Sequence, residues 1–92
     1  MKYYNPQVNK PFVFEYVDHK KAPWGVSQFR GYINGDKTTL YGLATLQQLN
    51  IELMSCKYKK GVRVEITRLS QGRKGQEEAK FKFKILDSQL RF

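Results

Sequence analysis

Residues 46–86 read LQQLNIELMSCKYKKGVRVEITRLSQGRKGQEEAKFKFKIL, and the change of period inside this stretch decides the fold. Leu46, Leu49 and Leu53 fall at i, i+3 and i+7, which predicts one apolar stripe on a helix of about ten residues. Thr45, followed three residues later by Gln48, has the capping-box spacing that satisfies open backbone donors at a helix start. Lys57, Lys59 and Lys60 stand at the other end, where cations complement the helix dipole, and Gly61 permits the exit turn. The period then drops to two. Val62, Val64 and Ile66 alternate with Arg63, Glu65 and Thr67, and Phe81, Phe83 and Ile85 alternate with Lys80, Lys82 and Lys84. Each run predicts a half-buried strand. Between them residues 70–78 (SQGRKGQEE) hold two glycines and no apolar residue, the composition of an exposed hairpin loop.

Toward the N-terminus the strand signals continue. Residues 26–33 predict a strand that ends at Asn34-Gly35, a pair that accepts the positive φ angles of a tight hairpin turn, and residues 37–42 (KTTLYG) return as the next strand. Residues 19–25 (HKKAPWG) gather charge, a proline and a glycine around the only tryptophan and read as a loop. Before it, residues 12–18 (FVFEYVD) are rich in aromatic and β-branched side chains and form the first strand. Residues 1–11, broken by Asn5-Pro6, Asn9 and Pro11, are expected to be an extended arm.

The chain has 92 residues, 17 Lys plus Arg against 8 Asp plus Glu, and a formal net charge of +9. One small domain of this length buries only about 60 to 65% of its unfolded surface, which leaves little room for a deep, dry active site. A hydrophobic content of 40%, with 14% aromatic, is enough to fold. The single Cys56 forbids an internal disulfide. No apolar run follows Lys2 and no 18 apolar residues follow one another, so neither an export signal nor a membrane span is expected, and the setting expected is intracellular, the cytoplasm of a prokaryotic cell or infected host. A positive excess of this size acts at long range on polyanions, of which nucleic acid is the commonest inside a cell.

The organisation is therefore β-β-β-α-β-β without repeats or linkers. Five short alternating strands expose edges unless they close, and a barrel with the helix plugging one end removes them. This order resembles the OB-fold, a five-stranded Greek-key barrel with its helix between strands three and four. Residues 46–86 look especially like the C-terminal half of small OB-fold single-stranded DNA-binding proteins of phages and mobile elements. The resemblance covers residues 12–87 as the domain, with 1–11 as the arm and 88–92 as a short tail. It implies binding along the face of strands two and three, flanked by the loops after strands one and four. It also implies a role in DNA replication, recombination or strand protection. Bacterial-type relatives end in an acidic tail that recruits partners, whereas this chain ends Leu90-Arg91-Phe92.

Single strands are held by rings on which bases stack and by cations that track phosphates. Alternation places Gln28, Arg30 and Tyr32 outward and Phe29, Gly31 and Ile33 inward, with Gly31 at the bend that closes the barrel. With Leu40 taken as inward, Thr39 and Tyr41 face out, so Arg30, Tyr32 and Tyr41 form one platform. Trp24 either stacks on a base or folds back to cap the barrel mouth. Tyr3 and Tyr4 are weaker candidates, since a terminal arm more often pads an apolar edge. Between Lys57 and Lys84 ten cations face three anions, +7 of the total +9. From them Lys57, Lys59, Arg63, Arg73, Lys74 and Lys82 are phosphate-contact candidates, and the strand lysines read equally as a solvated face.

No catalytic, metal or cofactor site is expected. The lone His19 reads as a solvated loop residue, Cys56 as packing, and no nucleotide-binding glycine motif or CxxC pair is present in the sequence. Two alternatives remain beside single-stranded DNA: an RNA-binding module of cold-shock type, and a protein-interaction module whose basic face meets an acidic partner. Homodimerisation through an edge strand or the arm is open.

Overall fold

The structure, a computed structural model, describes residues 2–23, 25–44, 47–72 and 80–86. In chain order its elements are β1 (Lys2–Tyr3), β2 (Phe12–Ala22), β3 (Gly25–Ile33), β4 (Asp36–Ala44), α1 (Gln47–Ser55), β5 (Arg63–Arg68) and β6 (Phe81–Ile85). Among the described residues the chain is mostly β, with one short helix between β4 and β5 as the change of period predicts. All six strands join in one sheet of order β1-β4-β3-β2-β5-β6.

The expected closure into a barrel is not made: β1 and β6 form the two edges of an open sheet. Part of the β4 edge that a closing strand would need is taken by the arm. Lys2 and Tyr3 pair in parallel with Tyr41 and Gly42, and the Tyr4 amide donates to the Gly42 carbonyl at 2.9 Å. The arm then reaches the other side of the sheet, where Val8 bridges Arg68 and the Asn9 amide donates to the Arg68 carbonyl at 2.7 Å.

Strand β2 holds the sheet together because it serves two neighbours. Its residues 12–15 pair with β5 and residues 14–22 with β3, so Phe14 and Glu15 are paired on both sides. The approach of β3 depends on Gly31. A Cβ there would stand 2.2 Å from the Glu15 carbonyl oxygen and 2.7 Å from the Phe14 ring. The Asn34-Gly35 turn forms as expected, with φ of 53° and 78° at its two residues, the sign required by a type I′ hairpin. Asn34 also extends the β2 pairing, its amide donating to the Val13 carbonyl and its Oδ1 accepting from the Val13 amide.

The loop expected over residues 19–25 is largely strand. His19, Lys20, Lys21 and Ala22 pair with Phe29, Gln28, Val26 and Gly25, so the ladder runs almost to the turn. A register shift between Tyr16 and Asp18 leaves Val17 as the extra residue of a bulge. The bulge inverts the alternation in the rest of the strand: Asp18 lies opposite Arg30 on the outer face, and His19 lies opposite Phe29 on the core face.

The core lies between the sheet and the helix. Phe14, Phe29, Val64 and Ile66 are buried from the sheet, and Leu49 and Leu53 of the helical stripe meet them with no exposed surface. Leu46 and the cap residue Thr45 lie outside the described residues. The helix ends in a Schellman arrangement: the Tyr58 amide donates to the Leu53 carbonyl and the Lys57 amide to the Met54 carbonyl, both at 2.9 Å, with Lys57 at φ 54°. Cys56, the free cysteine of this turn, is fully buried, in agreement with its reading as packing.

Replacing Gly31 by alanine drives a methyl group into a backbone oxygen, which side-chain motion cannot relieve. Gly31→Ala is expected to cost at least about 3 kcal/mol, the upper range for overpacking, read as a lower denaturation midpoint. A midpoint within error of the wild type would mean that β3 does not approach β2 this closely.

Candidate nucleic-acid interface

The helix and core lie on one side of the sheet; among the described residues the other face carries no second layer, and strand register states which residues share it. On β3 the outer residues are Gln28, Arg30 and Tyr32; their β2 partners are Lys20, Asp18 and Glu15. Glu15 lies opposite Arg63 of β5, Glu65 opposite Lys84, and Thr67 opposite Lys82. Arg30, Tyr32, Arg63 and Lys82 are thus brought onto one face. Lys57 and Lys59 belong to the turn after the helix and not to the sheet. Trp24, Arg73 and Lys74 lie outside the described residues.

Tyr41 is corrected. It pairs with Gly31 and sits two residues before Leu43, which pairs with Phe29, so it points to the core side. There its ring packs edge-on against Tyr4 at 5.8 Å. The expectation took Leu40 as the inward residue, but Leu43 sets the phase because it meets Phe29.

Arg30 is on the expected face but has a partner. Its Nε donates to Asp18 Oδ1 and its Nη2 to Oδ2, a two-pronged pair that raises the guanidinium pKa further through this hydrogen bonding. Lys37 pairs with Glu15 at 3.5 Å. Tyr32, by contrast, takes part in no side-chain hydrogen bond or ring contact with another described residue. The rings of Tyr4, Phe12, Tyr16, Tyr41 and Tyr58 all have aromatic partners.

His19 is corrected as well. It is half-buried, its Nδ1 hydrogen-bonded to the Tyr16 hydroxyl at 2.6 Å and its ring 4.7 Å from that of Tyr58. Tyr58 in turn donates to Asn50 Oδ1 at 2.7 Å, which ties β2 to the helix. Burial is the main cause that pushes the Tyr16 hydroxyl pKa up, with Asp18 adding to it. These groups brace the fold on the core side.

Sequence reasoning passed over the work done by Arg68. Its Nε, Nη1 and Nη2 donate to the carbonyls of Ser70, Pro6 and Gln71 at 3.1, 3.2 and 3.0 Å, and its guanidinium lies 5.8 Å from the Phe81 ring centre. One of the ten cations of the second half is therefore committed to backbone acceptors, fastening the arm to the residues that precede Arg73. Comparison of the chain with family models, with curated proteins and with solved structures finds no match. Among the described residues no helix is long and apolar enough to cross a membrane.

Arg68→Ala removes three charge-assisted donors at once from the carbonyls of Pro6, Ser70 and Gln71. It is expected to cost about 2 kcal/mol and to speed exchange of the Asn9 amide. Arg68→Lys should recover only part of the loss, because an ammonium cannot reach three acceptors held in a planar fork. Equal stability of the lysine variant and the wild type would contradict the fork's role.

Proposed function

We propose that this protein binds single-stranded DNA with little sequence preference, and that its sheet is an OB-type sheet left partly open, with the outer face of β3 and β2 as the platform. The order β4-β3-β2-β5-β6, with the helix between β4 and β5, supports the architectural part of this reading. The observation that carries the function is Tyr32, a ring without a side-chain partner among the described residues, on a face that also presents Lys20, Lys82 and Lys84. Bases present π-faces to such a ring whatever their sequence, and the lysines supply the neutralising charge along the backbone. Arg30 orders the platform through Asp18, and Tyr41 supports it from beneath. Arg63 extends the cationic side.

Titration of a fluorescent oligothymidylate, matched duplex DNA and matched RNA tests the reading. Single-stranded DNA should bind tightest, since a duplex hides the faces that Tyr32 needs; equal or tighter duplex binding would sink the stacking account. Tighter RNA binding would favour the cold-shock alternative, and no binding of any oligonucleotide at physiological salt would favour the acidic-partner alternative. With about five or six phosphates neutralised, the slope of log affinity against log salt should be near −4. Tyr32→Ala should weaken binding by about 1 to 3 kcal/mol with the slope unchanged. Asp18→Asn, which releases Arg30, should steepen the slope by about 0.7.

A further inference from the structure

The outer face carries a second ring that comes from the arm. Tyr3 pairs in parallel with Gly42, and Gly42 pairs with Arg30, so Tyr3, Gly42 and Arg30 form one row across β1, β4 and β3. The middle member has no side chain to lift the ring away from the sheet. The Tyr3 hydroxyl donates to Oε1 of Gln28 on β3 at 3.1 Å, so the ring is drawn across β4 instead of standing up into solvent. Gln28 is only 9% exposed, whereas Tyr3 keeps 66% of its surface open. A ring secured at its hydroxyl and still open to this extent offers a base a fixed surface at little cost in ordering.

We infer that Tyr3 is a second base-stacking residue of the same face, so that the arm completes the single-strand site. The inference rests on the proposed binding of single strands. Tyr3 and Tyr32 stand on either side of Arg30, one across the strands and the other along β3. A strand laid over the face meets one ring, the Arg30 to Asp18 pair and then the other ring. The arm is held in place independently of Tyr3 itself, by the Tyr4 amide on Gly42, by the Tyr4 ring 4.5 Å from that of Phe12, and by Asn9 on Arg68. Removing the Tyr3 ring therefore tests stacking without releasing the arm.

The experiment measures affinity for a fluorescein-labelled oligothymidylate of about 16 nucleotides in the full-length wild type and in Tyr3→Ala, Tyr3→Phe and Tyr32→Ala. Tyr3→Ala should weaken binding about tenfold with an unchanged salt slope, and Tyr3→Phe, which keeps the ring and loses the Gln28 bond, should stay within about threefold of wild type. Amide exchange at Tyr4 and Asn9 should be the same in all four proteins, which separates loss of a ring from loss of the arm. Wild-type affinity in Tyr3→Ala, with Tyr32→Ala weakened, overturns the inference and leaves the single-strand reading standing. Equal losses in Tyr3→Ala and Tyr3→Phe also overturn it, because they assign the effect to the hydrogen bond. Absence of binding by the wild type removes the single-strand reading itself, and the inference with it.

Discussion

The empty side of Gly31 is the constraint on which the rest of the sheet depends. β2 pairs with β5 through one half and β3 through the other, and the two ladders overlap at Phe14 and Glu15. There the backbone of β3 comes so close to β2 that even a methyl group would collide with a carbonyl oxygen. Glycine inside a strand costs roughly 1 kcal/mol relative to alanine through chain entropy. The gain is larger: Phe14 becomes fully buried against it, and sealing a phenylalanine ring contributes about 2 to 3 kcal/mol. A residue that looks unfavourable locally is therefore required by the packing around it.

An open sheet leaves edges, and the chain manages the two of them by different means. At β4 the arm adds a two-residue parallel strand and is held at its far end by Arg68. At β6, among the described residues, the protection is charge. Lys80, Lys82 and Lys84 alternate along the last stretch, and pairing that edge with a copy of itself would bring like charges together. The lysines thus have a role that needs no nucleic acid. Tyr32, half-buried on the outer face, takes part in no side-chain hydrogen bond or ring contact with another described residue, and this favours a binding role for the ring over one for the charge.

The fold was legible in the sequence wherever a single pattern dominates. Leu49 and Leu53, the 62–67 and 81–85 alternations and the Asn34-Gly35 turn each obey one local rule, and each stands in the structure where that rule places it. In residues 37–44 two leucines of opposite parity compete. Leu40 and Leu43 cannot both face the core from a regular strand, and only the contact across to Phe29 decides for Leu43, which carries Tyr41 inward. The bulge at Val17 is a second case. Alternation through Phe12, Phe14 and Tyr16 would send Asp18 inward, and the extra residue spares the carboxylate that burial while creating its pair with Arg30. The parallel pairing of Lys2 and Tyr3 with Tyr41 and Gly42 joins residues almost forty positions apart, and no local pattern announces it.

On the outer face charge and rings are not mixed evenly. Near β3 the carboxylates Asp18 and Glu15 are matched by Arg30 and Lys37, and Lys20 lies opposite Gln28 on the same face. Three strand spacings away, about 14 Å, β6 presents Lys82 opposite Thr67 and Lys84 opposite Glu65 of β5. Under the single-strand binding proposed above, such a division would let bases settle where desolvation is least costly while phosphates lie over the lysines. On that proposal a duplex would meet the same lysines without offering its bases to the rings, and so would keep the salt-dependent part of the attraction and lose the stacking part, about 1 to 3 kcal/mol for each base. On the proposed reading, discrimination between single and double strands would reside in the zone around β3, while dependence on ionic strength would come from the lysines of β6 together with Lys20 of β2. Substitutions at the rings of Tyr32 and Tyr3 and at the lysines of β6 would then alter the two properties separately, because these residues lie on different strands.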